Sequence, residues 1–246
     1  MATTTITTYY DEGNKHIQEQ YTEKDGIKDG LYKRYYEDGT LCAEMHYMNG
    51  NFHGTGRIWY ENGQLHQQTS YVEDEKNGDH TEWYENGNIY HQTAYSMGLL
   101  DGDYKLWHRN GKLSIQETYV NGLQQDRLTK WHSNGMIEQN VMYRHGKEQG
   151  DFLRWYEDGQ LELQSTYVDG KLEGLYTKWF NNNQLFIQET YVDGQKHGES
   201  TIWYPNGQVA SKTSYLHGKR NGECIEWHQN GEIQRKVMFA DDKIQP

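Results

Sequence analysis

Aromatic and aliphatic positions recur through a polar background on a fixed 24-residue period. Trp59, Trp83, Trp107, Trp131, Trp155, Trp179, Trp203 and Trp227 are all eight tryptophans of the chain. Four residues after each comes Gly63, Gly87, Gly111, Gly135, Gly159, Gly207 or Gly231, with Asn183 the exception, and Asn or Asp always precedes that position. An aliphatic follows two residues on, from Leu65 and Ile89 to Val209 and Ile233. Twelve residues after each tryptophan stands a tyrosine, from Tyr71 to Tyr215, and finally Phe239. So strict a period marks a stack of like units. Tyr35 takes the tryptophan position one unit earlier, and a weaker unit begins near Tyr9, displaced by two extra residues around Lys24. That makes about ten units with degenerate ends, as a stack needs in order to stop at solvent.

The pattern within a unit predicts antiparallel strand pairs. The segment from Leu175 to Phe180 carries Tyr176, Thr177 and Trp179, types that suit a pleated surface. Asn62-Gly63, Asn86-Gly87 and their equivalents predict two-residue type I′ turns, in which both central residues need positive φ. Asn182-Asn183 fits the same rule, because Asn tolerates the left-handed region. The second connection, such as Val168 to Gly174, reads as longer and also glycine-marked. With two-residue loops at the Asn-Gly pairs, Tyr156 opposes Leu161 and Tyr60 opposes Leu65, while Trp155 opposes Glu162 and points the other way. One face is then rich in Tyr and Leu; the other alternates tryptophan with the column Gln68, Gln92, Gln116, Gln164 and Gln188. Helix signals are absent. The expectation is an all-β fold: an elongated, twisted antiparallel meander of about ten 24-residue β-hairpin repeats. Residues 1–8 and 243–246 are expected as tails flanking one array over residues 9–242.

Composition changes that picture little. Aromatics make up 14% of the chain and sit mostly in fixed columns, which argues against the disorder that a formal charge of -12 would suggest. Order is expected from aromatic ladders rather than a large aliphatic core. Met1 to Thr8 has no basic residue and no apolar stretch of signal-peptide length, and no run approaches the roughly 20 apolar residues of a membrane helix. Cys42 and Cys224 lie in distant units and read as no disulfide framework. These features predict a cytoplasmic or otherwise intracellular setting.

Units such as Trp155-Tyr156-Glu157-Asp158-Gly159-Gln160-Leu161, ending in Tyr167-Val168-Asp169-Gly170-Lys171-Leu172-Glu173-Gly174, resemble the MORN-repeat variant, the form also found in YwqK-like antitoxins. The likeness covers about residues 9 to 242. It departs at Asn183, at Asp126 in the column of Gly174, and at Glu73-Asp74 where a later unit has Asp169-Gly170. The resemblance implies a repeat scaffold, a membrane-associated organiser or a toxin-neutralising protein.

No catalytic constellation stands out: no Gly-x-Ser-x-Gly, P-loop or Rossmann fingerprint occurs. The 12 histidines are scattered; His108, His132 and His228 replace tyrosine in the aromatic column and read as strand residues. With no His-x-His pair and no CxxC, neither a metal nor any other cofactor is assigned. Glu61, Glu85 and Glu157 read as solvated turn residues. With 24 Lys and Arg against 36 Asp and Glu, the overall field repels phosphate backbones and anionic lipid. The expected function is a non-catalytic scaffold binding a protein partner, a basic one being the electrostatic complement, along an aromatic sheet face; antitoxin-like neutralisation is its sharpest version. Nucleic acid and integral membrane association are not expected, and a homodimer would be compatible. The alternatives are a carbohydrate or cell-wall binder and a membrane-associated organiser. The candidate binding residues are Tyr60, Tyr84, Tyr156 and Tyr204 if the tyrosine side is open, or Trp155, Trp179 and Trp203 if the other is.

If the tryptophan column is structural, Trp131→Ala should cost roughly 3–5 kcal/mol and Tyr9→Ala, at the frayed end, much less. Chemical denaturation of the two variants measures the difference, and equal losses would refute it.

Overall fold

The computed structural model describes residues 3–246, and every regular element in it is a strand. The chain divides into two units, residues 1–123 and 124–246. In the first, successive strands pair antiparallel from Thr3–Tyr9 with Ile17–Lys24 through to Leu99–Trp107 with Leu113–Val120. In the second, the series runs from Leu123–Trp131 with Ile137–Arg144 to Lys219–Trp227 with Ile233–Ala240 and the short Lys243–Ile244. Each unit is thus a meander of hairpins, as the 24-residue period predicts. The expected tails are partly paired: Thr3–Tyr9 and Lys243–Ile244 both join the ladder, while Met1 and Ala2 lie outside the described residues.

The two kinds of turn are the reverse of the sequence expectation. At the Asn-Gly positions only the glycine has positive φ, for example Gly63 at 80°. The Gly63 amide donates to the Tyr60 carbonyl at 2.9 Å, and the Tyr60 amide donates to the Gln64 carbonyl at 2.9 Å. This is a three-residue loop built on a type I turn and closed by a left-handed glycine. The asparagine works through its side chain: Asn62 Oδ1 accepts the Gln64 amide at 2.9 Å, and Asp158 does the same for Gln160 at 3.0 Å. Asn183, with φ 64°, takes the glycine's place.

The type I′ turns lie at the second connection, which is short. Asp169-Gly170 has φ of 48° and 80°, and Glu73-Asp74 and Met97-Gly98 share that geometry. Val72 and Glu75 pair directly across such a turn. The second turn residue also binds a carbonyl 22 residues earlier: the Gly194 amide donates to Leu172 at 2.9 Å and Gly98 to Lys76 at 2.9 Å. Turns therefore stack on their predecessors. Just past each turn the strand bulges, so that Thr69 pairs with His80 while Tyr71 pairs with Lys76. Gly78 sits in that bulge at φ 100°, where an added Cβ would meet Ser70 Cβ at 3.2 Å. Asp126 holds the equivalent place at φ 60°.

A further bulge at the other turn reassigns the faces. Trp155 pairs with Leu161, and Arg154 with Leu163. The residue skipped between Leu161 and Leu163 turns to the tyrosine side, shown by Arg154 Nε at 2.7 Å from Glu162. Tyr60 accordingly stacks on His66 at 4.3 Å, and Phe180 on Phe186 at 4.6 Å. The aliphatic column thus belongs with tryptophan, not with tyrosine. The glutamine column stays on the tryptophan side as expected, since Gln68 pairs with Arg57, two residues from Trp59.

With a single layer, burial comes from large rings lying beside small neighbours. Tyr71 lies beside Gly56, where a Cβ would be 3.3 Å from its ring. Buried residues such as Thr69, His80, Val141, Ser165 and Leu163 gather on the tyrosine side. Tyrosines of that side contact the preceding row, as in Tyr104–Tyr119 at 5.9 Å and Phe152–Tyr167 at 5.9 Å. The expected aromatic ladder is present, but its packed side is tyrosine's.

Met97 holds φ 46° while 76% exposed, so its side chain gains nothing for a strained backbone. Met97→Asn should stabilise the chain by about 0.5–1 kcal/mol, read as a higher melting temperature.

Candidate functional site

The tyrosines at the three-residue turns do structural work. Tyr60 donates its hydroxyl to the Trp83 carbonyl at 2.8 Å, Tyr84 to Trp107 at 2.8 Å, Tyr156 to Trp179 at 2.7 Å and Tyr204 to Trp227 at 2.7 Å. His132 Nε2 reaches the Trp155 carbonyl in the same way at 2.9 Å. Each spans 23 residues and ties one hairpin to the next. Burial raises the phenols of Tyr60, Tyr84 and Tyr156 above their ordinary pKa. The four candidate tyrosines are therefore committed to the frame. The turn asparagines add parallel ties, as from Asn134 Nδ2 to the Glu157 carbonyl at 2.7 Å.

Trp155, Trp179 and Trp203 are half-buried, and each pairs with an aliphatic: Leu161, Leu185 and Val209. Strand alternation places several exposed apolar side chains of the second unit on their side: Met142, Val168, Leu175, Val192, Leu216 and Met238. Leu175 is 53% exposed and lies beside Thr190, two residues from Val192. Lysines frame this surface at the turns, with Lys171 Nζ 3.6 Å from Asp193. Sequence columns alone missed the valine and leucine positions, although their recurrence just before each type I′ turn was visible.

The tyrosine side holds the clustered polar chemistry. Glu189 is buried and accepts from Lys196 Nζ at 2.5 Å, the Tyr191 hydroxyl at 2.7 Å and Ser200 Oγ at 2.9 Å. Burial pushes its pKa up, but the three donors outweigh that and hold it below the ordinary value. Arg154 forks onto Glu162 at 2.7 and 2.9 Å, and Lys178 joins it at 3.3 Å. In the first unit, His80, Glu82 and His91 form the cluster among the described residues whose ligating atoms lie close enough to share a cation. Burial holds both histidines below their ordinary pKa. Reading the chain for adjacent ligands missed this trio; the hairpin register, which places Glu82 opposite His91, would have found it. Cys42 and Cys224 are free thiols. Glu61, Glu85 and Glu157 are exposed at the turns, as expected.

The family described as MORN repeat variant matches eight stretches: residues 28–49, 52–73, 76–96, 100–121, 148–169, 172–193, 196–217 and 220–241. The unmatched stretch between 121 and 148 contains Asp126, yet it folds into a hairpin with the same registers. No curated protein matches the chain. Among solved structures, the chain is similar to one described as TcdB2-TccC3-Cdc42, at 9% identity over 97% of this chain and 15% of that one, with a TM-score of 0.22. A porin-like protein from Bacteroides uniformis is similar at 9% identity over 99% of this chain and 92% of that one, with a TM-score of 0.20. Likenesses so slight carry no argument about function. Among the described residues no helix is long and apolar enough to cross a membrane.

Two outcomes follow from these contacts. Phe180 has no hydroxyl for the Trp203 carbonyl, so Phe180→Tyr should add a tie and stabilise the chain by about 0.5–1.5 kcal/mol in denaturant titration. Glu189→Gln should cost ~1–3 kcal/mol at neutral pH. Because the native pKa is depressed, that stabilisation is complete above the ordinary value of 4.5 and is lost as pH falls through the native value. Wild-type and variant stabilities should therefore converge in acid.

Proposed function

This chain belongs to the MORN repeat variant family, and we propose that it acts as a non-catalytic repeat scaffold docking a protein partner on its tryptophan side. The observation that carries this reading is the set of exposed apolar side chains around Leu175, Val168 and Val192, on the same side as the half-exposed Trp155, Trp179 and Trp203. Apolar groups exposed together on one side are the usual mark of an interaction surface. The tyrosine side supports docking less well, because its hydroxyls are bound within the chain and its buried residues are packed. Half-buried tryptophans are rigid, and large aromatics at the centre of an interface supply much of its energy.

The formal charge of -12 favours a basic partner and disfavours nucleic acid or anionic lipid. Neutralisation of a protein target, in the manner of YwqK-like antitoxins, is the sharpest form of the proposal. Carbohydrate binding is the competing reading, since aromatic rows also stack on sugars.

Leu175→Glu and Val192→Glu change exposed side chains and should leave the melting temperature nearly unchanged. Both should abolish capture of a specific protein from extract of the native cell, while Glu157→Gln, at an exposed turn, should not. Retention of glucan or cell-wall polymer by the wild type, with no protein dependent on Leu175, would replace this reading with the carbohydrate one.

A further inference from the structure

The central row of the tyrosine side varies from hairpin to hairpin, and in one place it assembles metal-ligand chemistry. His80 and Glu82 lie two apart on Glu75–Trp83 and so face the same side. The register sets Glu82 opposite His91 on Ile89–Ser96, and His80 between Thr69 and Thr93. His80 is 1% exposed. Its Nε2 lies 3.0 Å from Glu82 Oε1, and its Nδ1 is 2.7 Å from Thr69 Oγ1. His91 approaches it edge-on, with ring centroids 5.3 Å apart. His91 Nε2 is buried and has no hydrogen-bond partner. One ligating atom from each of the three side chains falls within 4.8 Å of the others.

We propose that His80, Glu82 and His91 bind one first-row transition cation of the zinc class, with water completing the coordination. Zinc takes imidazole nitrogen and carboxylate oxygen at about 2.0–2.2 Å, which in a tetrahedron leaves the donors roughly 3.3 Å apart. The His80–Glu82 pair already has that spacing, so small side-chain rotations of His91 complete it. Two imidazoles and one carboxylate favour zinc, nickel or copper over magnesium or calcium, which take oxygen ligands. Thr69 on Nδ1 orients the His80 ring and leaves Nε2 to the cation, the usual arrangement of an outer partner behind a ligating histidine. A cation also satisfies His91 Nε2, whose isolation otherwise costs ~1–3 kcal/mol. The opposing charge is Lys76, whose ammonium lies over the Tyr95 ring at 4.8 Å. The bound ion would clamp the two strands of one hairpin. This site lies in the first unit and does not rest on the docking surface proposed for the second.

The test uses the full chain, stripped with chelator and then titrated with Zn2+ by calorimetry and with Co2+ by visible absorption. The expected result is one equivalent bound, tetrahedral-type cobalt bands and a melting temperature that rises with zinc. His91→Gln and Glu82→Gln, both at half-buried positions, should each weaken binding by about tenfold or more. Melting curves of the metal-free variants establish that they fold. His46→Gln, outside the cluster, should bind like the wild type. No uptake by the wild type, or uptake unchanged in both cluster variants, would overturn the site.

Discussion

A hydroxyl-to-carbonyl tie across 23 residues holds this architecture in step. A single-layer sheet has no second layer to pack against, so each hairpin must find its stability in the next one. The tyrosines after Trp59, Trp83, Trp155 and Trp203 do this by reaching the following tryptophan's carbonyl, as Tyr156 does to Trp179. At the opposite edge the stacked type I′ turns supply a second set of ties, as from the Gly194 amide to Leu172. Between these two edges the strands carry ordinary ladder bonds. The tie tolerates a change of donor, as His132 shows, and one hairpin keeps its register with Phe180, which has no donor, in that place.

With both edges fixed by backbone acceptors, the middle of each hairpin is freed from a single sequence solution. Gly56 pairs with Thr69, Leu128 with Val141, Tyr104 with Glu117 and Ser200 with Thr213. The same frame accepts a small pair, an apolar pair and a polar one, provided the neighbouring ring fills the remaining space. This is how a buried ionic cluster around Glu189 and an imidazole cluster around His80 coexist in one repeat family member. Function in such a scaffold is therefore read from departures within a column, while the column's consensus reports the frame.

The sequence made the hairpins and their period legible because bulky aromatics occupy equivalent places in every unit. It also gave the correct pairing in the body of the hairpins, such as Leu163 with Arg154. It misled at the ends. Asn-Gly suits both a type I′ turn and the last part of a type I turn with a left-handed glycine, and only the hydrogen bonds separate the two. Meanwhile Met97-Gly98 and His217-Gly218 adopt type I′ geometry without looking like turn sequences. One misassigned turn was enough to move the aliphatic column, so Leu161 was placed with Tyr156 instead of Trp155. The candidate surface changes in consequence: the tyrosines offered for an open tyrosine side are hydrogen-bonded within the chain, and the exposed row at Val168 and Val192 lies on the tryptophan side.

The Tyr-to-Trp tie also makes the chain length discrete. Inserting or deleting a few residues inside a hairpin would put the hydroxyl whose tie spans the change out of reach of its carbonyl, unless the excess looped out. It does so between Tyr10 and His16, where two extra turn residues leave the Tyr10 hydroxyl on the Tyr35 carbonyl. Removing a whole 24-residue module leaves donor and acceptor facing each other at the new junction. Growth and shrinkage of this protein by recombination are therefore quantised. The sheet can be lengthened a hairpin at a time while each remaining hairpin keeps its own chemistry.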